Sequence, residues 1–178
     1  MNIHDPPVNG YQFRREYRDA VQRWLEVLEV DLFVTLSFAQ NIGLARARQV
    51  FRHWWACLDS HYLGKGWAKR SSNERTVAIA FPEDILSNLH YHSLMRLPEK
   101  AQYESLATRS STLEKFWVRP VPGGTCRASL IRDAGAARYV TKQLVRPGYW
   151  QHYILASEFH GNDDDGITPA SNPLYRPA

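Results

Sequence analysis

Residues 76–97, TVAIAFPEDILSNLHYHSLMRL, decide how this chain is read. Thr76–Phe81 is rich in β-branched and apolar residues, Pro82-Glu83-Asp84 is a turn signal, and Asn88–Leu97 is a second extended run stopped by Pro98. Two such runs around a short polar break predict a β-hairpin. Side chains alternate across a pleated strand, so His90 and His92 share one face. Tyr91 between them faces the opposite layer, where an aromatic ring suits a core.

Outward from the hairpin, helical and extended patterns take turns. Tyr17, Val21, Trp24, Leu25 and Leu28 recur at helical spacing and predict a helix over 12–29. Phe33–Phe38 (FVTLSF) alternates, with Val34, Leu36 and Phe38 on one side and Thr35 and Ser37 on the other. Asn41 is placed to cap the next helix, whose apolar stripe runs through Leu44, Ala47, Phe51, Trp54, Trp55, Leu58 and Tyr62. Residues 63–75 (LGKGWAKRSSNER) read as a loop, whose Lys65, Lys69, Arg70 and Arg75 suit either phosphate contacts or plain solvent. Glu99–Trp117 is helical in part, Pro120–Gly124 is a turn cluster, and Cys126–Ile131 is a strand with Cys126 as a small core residue. Asp133 can cap a helix over Ala134–Val145, ended by Pro147-Gly148, and Tyr149–Glu158 is a last strand. The sum is an α+β fold: a five-stranded, mainly antiparallel sheet with flanking helices. Residues 1–30 form an N-terminal arm (mobile over 1–10) and helix, 31–160 the main domain, and 161–178 a disordered tail.

Composition narrows the class. A length of 178 residues suits one domain. No apolar run approaches the ~20 residues of a membrane span, and the start, MNIHDPPVNG, lacks the pattern of a secretory signal. Cys57 and Cys126 are too few for a disulfide scaffold or a four-thiolate zinc site, so a reducing, cytoplasmic setting is expected. Residues 1–160 hold 21 basic and 15 acidic groups, a net charge of +6. Arginine outnumbers lysine 17 to 5 over the whole chain, which favours bidentate phosphate contacts and stacking, as in single-stranded nucleic-acid binding. The same charge also fits a slightly basic enzyme with a solvated surface.

Two neutral imidazoles preset on one strand are two ligands of a divalent-metal site, although a His-x-His pair also fits an exposed face. Glu83, or Asp84 beside it, lies where a neighbouring antiparallel strand brings a carboxylate to the pair. Tyr139, Lys142 and Gln143 stand at i, i+3 and i+4 of a helix and share one face. A phenol is a poor nucleophile near neutral pH, but an adjacent ammonium stabilises its phenolate and a metal activates a phosphate. Tyr139 also fits an interfacial core position. His152 and His160 are further polar groups near the last strand, and Glu158 is placed to pair with His160.

In this order the pieces resemble the HUH endonuclease superfamily, which includes rolling-circle replication initiators, conjugative relaxases and some transposases. His90-Tyr91-His92 matches its histidine–hydrophobic–histidine motif, Phe33-Val-Thr-Leu-Ser37 resembles its upstream strand motif, and Tyr139 with Lys142 resembles its catalytic tyrosine and following lysine. The likeness covers about residues 30–158 and is closest to single-tyrosine initiators (Rep nuclease domains), with a single-tyrosine transposase or relaxase as the alternative. It implies a ferredoxin-like sheet variant and an HUH-type nuclease domain over 31–160. It implies Mg²⁺ or Mn²⁺ held by His90, His92 and Glu83, with Gln143 or Asp84 as the other third-ligand choices. Tyr139 would attack single-stranded DNA, at an origin or a hairpin, and form a 5′-phosphotyrosine link, with Lys142 assisting. Thr35, Ser37, Arg96, Lys69 and Arg70 are the implied DNA contacts, and a host helicase is a candidate partner.

Overall fold

The structure, a computed structural model, describes residues 10–160. Of the arm expected over 1–10, residues 1–9 lie outside the described residues, as does the tail expected over 161–178, and Gly10 already belongs to the first helix. The described chain runs α1 (Gly10–Val27), β1 (Leu32–Ser37), α2 (Leu44–Leu63), β2 (Val77–Glu83), β3 (His90–Arg96), α3 (Leu106–Val118), β4 (Thr125–Leu130), α4 (Gly135–Val140) and β5 (Ile154–Leu155). Short 3-10 turns occupy Gly64–Lys69, Glu99–Tyr103, Lys142–Val145 and Ala156–Phe159. The α+β expectation holds: the five strands form one sheet in the order β4-β1-β3-β2-β5, and every pairing is antiparallel.

The alternation read from the sequence sorts the sheet into two faces. Leu32, Val34, Leu36, Tyr91 and Met95 pack under α2 and α3 with Phe51, Trp54, Trp55 and Trp117, forming the larger core. Ile79, Phe81 and Leu94 point the other way, onto Val21 and Leu25 of α1 and Ala137, Val140 and Leu144 of the α4 region. That second cover lies over the β2–β3 half of the sheet and reaches β1 at Phe33. On the β1–β4 half, Thr125, Arg127 and Ser129 are exposed. Gly124 sets the end of β1: a Cβ there would lie 2.6 Å from the Ser37 carbonyl and 2.5 Å from Val121, so no other residue fits without displacing them. The same Ser37 carbonyl accepts from Trp117 Nε1 at 3.1 Å.

Several local expectations are corrected. Asn41 does not cap α2; the cap position is Gly43, because Ile42 and Leu44 are first turned onto the core. Residues 64–69 are a 3-10 turn rather than open loop, begun where Gly64 (φ 76°) stops α2. β2 continues through Pro82 to Glu83 instead of turning at Pro82. β5 covers only Ile79 and Ala80, so Pro82 sits on a bare edge where its missing N–H breaks no ladder bond. The helix expected over 134–145 ends at Val140, where Thr141 Oγ1 bonds back to the Ala137 carbonyl at 2.8 Å and the chain tightens into the Lys142–Val145 turn. Asp133 does not take the cap position, which is Ala134; its carboxylate accepts from the Gly135 N–H at 2.7 Å in the turn that leads into α4. The last strand shrinks from 149–158 to Ile154–Leu155, because Glu158 takes the Leu155 N–H at 3.0 Å and pairs with Arg48. Glu158 therefore does not pair with His160, which is buried beside Asp59 and Arg75. Cys126 is a core residue, as expected, and burial pushes its thiol up to about 12.

Candidate metal centre and the adjoining tyrosine

Register brings the cluster together. Glu83, the last residue of β2, stands opposite His90, the first of β3, and His92 is opposite Phe81 on one side and Thr35 on the other. The pleat then places Glu83, His90 and His92 on the face away from the tryptophan core. Glu83 Oε2 lies 2.9 Å from His92 Nε2 and 3.5 Å from His90 Nε2, and the three ligand atoms are all within 4.8 Å of one another.

The outer atoms of each group are already engaged. His90 Nδ1 lies 2.9 Å from the Asn88 carbonyl, which can only accept, so Nδ1 donates there and Nε2 is the ring nitrogen turned toward Glu83. His92 Nδ1 lies 3.2 Å from Thr35 Oγ1. Glu83 Oε1 accepts from Lys142 Nζ at 2.8 Å and Gln143 Nε2 at 3.0 Å, which leaves Oε2 for the histidines. Ring nitrogens pinned from behind and a carboxylate oriented by donors are the outer shell that metal ligands need. Two imidazoles and one carboxylate on one side of a cation leave its other positions open to substrate. Glu83, His90 and His92 thus have the donor set and spacing of a three-ligand site for a divalent cation.

The electrostatics agree. Burial alone would raise the Glu83 carboxyl, but hydrogen bonds from Lys142 and Gln143 and the charges of Lys142 and His92 hold it below its ordinary value. Burial lowers His92, against the opposing pull of Glu83. Lys142 is raised: its desolvation is outweighed by hydrogen bonds and charge from Glu83 and Tyr139. These shifts favour the carboxylate of Glu83, the neutral ring of His92 and the charged ammonium of Lys142.

Tyr139 completes the arrangement. Its ring meets His92 edge-on, centroids 4.9 Å apart, and meets Phe33 at 5.7 Å. Phe33 in turn stacks on His92 at 5.5 Å. Lys142 Nζ sits 3.9 Å from the Tyr139 ring centroid, so one ammonium touches both the carboxylate and the phenol side chain. Tyr139 is 45% exposed.

Other residues singled out in the sequence sort clearly. Thr35 joins the cluster behind His92, and Ser37 Oγ bonds Thr125 Oγ1 at 2.7 Å at its margin. Gln143 donates to Glu83 rather than facing the histidines, and Asp84, at φ 52°, lies outside the cluster with its carbonyl taking the Ser87 and Asn88 N–H groups. Arg96 is six ladder positions from His90, roughly 20 Å along the hairpin. Its guanidinium is spent on the Glu29 and Asn73 carbonyls. Arg70 pairs with Glu74, and Lys69 ends the turn beyond that same far end. His152 lies in the half-buried turn before β5. Sequence reading passed over Arg127, which projects from β4 on the open face opposite Thr35. The alternation of Thr125, Arg127 and Ser129 with Cys126 and Ala128 carried that signal.

No protein-family model, no curated protein and no solved structure matches this chain.

Proposed function

We propose that this protein is a metal-dependent endonuclease of the HUH type, which nicks and rejoins single-stranded DNA through Tyr139 and serves rolling-circle replication. The observation that carries this reading is the convergence of a phenol, an ammonium and a two-histidine, one-carboxylate set from four separate elements. A structural metal site has no need of an exposed tyrosine on one of its ligands or of a lysine bridging the two.

His90, His92 and Glu83 would hold the cation, and two imidazoles suit Mn²⁺ better than Mg²⁺, which prefers oxygen ligands. The bound cation supplies charge stabilisation at the scissile phosphate. Tyr139 oxygen attacks phosphorus; the bond to the 3′ oxygen breaks, the phenolic proton leaves to water, and the leaving oxygen takes one up. Lys142, fixed by Glu83, is charged throughout and stabilises the phenolate as it forms. One phosphate ester replaces another, so attack by a later 3′ hydroxyl reverses the step without ATP.

Incubation with mixed single-stranded oligonucleotides and Mn²⁺, read by intact-protein mass spectrometry, is expected to yield a DNA adduct. Tyr139→Phe is expected to abolish it. An adduct that survives this change removes Tyr139 as nucleophile, and metal-independent DNA binding without adduct marks a binding module instead.

A further inference from the structure

Tyr139 has a second side. Away from His92 its ring lines a groove of about 690 Å³ together with Phe33, Ser129, Ile131, Arg132 and Ala136. That volume lies within the ~300–1,000 Å³ of small-ligand sites. The groove lies where the cover over the sheet ends: Phe33 and Ser129 pair across β1 and β4, and Gly135 and Ala136 open α4. Leu130 and Tyr139 are left 46% and 45% exposed beside it, two large apolar side chains with water on them. Phe33 and Tyr139 meet at an interplanar angle of 72°, so the two rings form a corner rather than a flat stack. Arg132 is exposed and makes no ion pair among the described residues, and Ser129 offers a hydroxyl from an exposed strand position. Aromatic and aliphatic walls with a hydroxyl, a guanidinium and the Asp133 carboxylate at the rim offer donors and acceptors around a flat apolar space, which suits the apolar faces and polar edge of a nucleobase. Phosphates would be held nearby by Arg127, the exposed cation on β4 between this groove and the metal cluster.

We infer that this groove is a pocket for the single-stranded DNA base next to the phosphate that Tyr139 attacks, and that it selects that base. The identity of the phosphate rests on the nicking reading above; the base pocket itself does not. The base stacks on one ring of the Phe33–Tyr139 corner and meets the other edge-on, and Ser129 and Arg132 read its edge.

The test uses the full chain in EDTA, so that binding is measured without scission. Fluorescence anisotropy is read for dA, dC and dT oligonucleotides of about 12 nucleotides. The wild-type protein is expected to separate the tightest from the weakest by about tenfold, the scale of one base–aromatic contact. Ala136→Phe, which fills the groove, is expected to compress that ratio below about threefold. Ser129→Tyr is the second filling variant, at an exposed strand position that tolerates an aromatic. Either variant with unchanged far-UV circular dichroism and the wild-type ratio overturns the inference, as does a wild-type protein that binds all three equally or none. Adduct formation with Mn²⁺ is read separately. Base selectivity without adduct breaks the nicking proposal and leaves the pocket standing; adduct with selectivity untouched by groove filling does the reverse.

Discussion

Two clusters in this molecule each gather a carboxylate, histidine and a cation, yet they are wired in opposite ways. Asp59, on α2, is fully buried. Its Oδ1 accepts from Thr76 N at 2.7 Å and Thr76 Oγ1 at 2.6 Å, and its Oδ2 from Arg75 Nε at 3.2 Å. Arg75 also donates to the His160 carbonyl at 3.0 Å and lies over the Trp67 ring. Both oxygens are filled by donors, and the cluster fastens α2 to the start of β2. Glu83, by contrast, has two donors on Oε1, while Oε2 meets the ring edges of two histidines, His92 Nε2 at 2.9 Å and His90 Nε2 at 3.5 Å. A carboxylate saturated by donors holds a fold together. One whose second oxygen is shared between two ring nitrogens can exchange those contacts for a cation.

The largest expected effect breaks the first cluster. Asp59→Ala strands a buried guanidinium and two Thr76 donors, and is expected to remove about 3–5 kcal/mol of stability in urea unfolding. Glu83→Gln is expected to cost less than about 1 kcal/mol, because Lys142 is partly exposed and regains water. Equal losses would erase the contrast.

Next in size is a pH effect on the Asp59 side. Burial, then the charge of Arg75, depresses His160 to about 4. Both its ring nitrogens are buried without a hydrogen-bond partner among the described residues. The unfolded chain takes up that proton first as pH falls, so stability is full above about pH 6.5 and declines toward pH 4, by roughly 3 kcal/mol. Urea titrations across this range should show the slope in the wild-type protein and a shallower one in His160→Phe. An unchanged slope removes His160 from the account.

The smallest effect sharpens the second cluster. Mn²⁺ at about a hundredfold over its dissociation constant is expected to add about 2.7 kcal/mol to the folded state, seen as a rise in Tm that EDTA reverses. His92→Ala is expected to lose that rise while Asp59 variants keep it. A rise that survives His92→Ala places the metal elsewhere.

Much of this was legible in the sequence because it is local. The hairpin, the two-faced β1 and the aromatic stripe of α2 follow from periods of two and 3.6 residues, and the chain obeyed them. The misreadings fall where a distant group intervened. Pro82 continues a strand because β5 stops short of it, Thr141 breaks a helix by bonding back to Ala137, and Glu158 turns away from the sheet to meet Arg48. Arg96 looked suited to DNA by type and proximity in sequence, but six ladder positions carried it to the far end of the hairpin.

That His90 and His92 share a face was decided by the sequence alone, since the pleat of a strand leaves no other outcome for residues two apart. Which third group joins them was not. Glu83, Asp84 and Gln143 were all within reach of the motif. The choice came from the cross-strand register and from the packing of α4 and its following turn against β2 and β3, which turn Gln143 and Lys142 onto one oxygen of Glu83 and leave the other for the rings. Register and helix placement are settled by how apolar surfaces from distant parts of the chain bury one another, a quantity no local window contains.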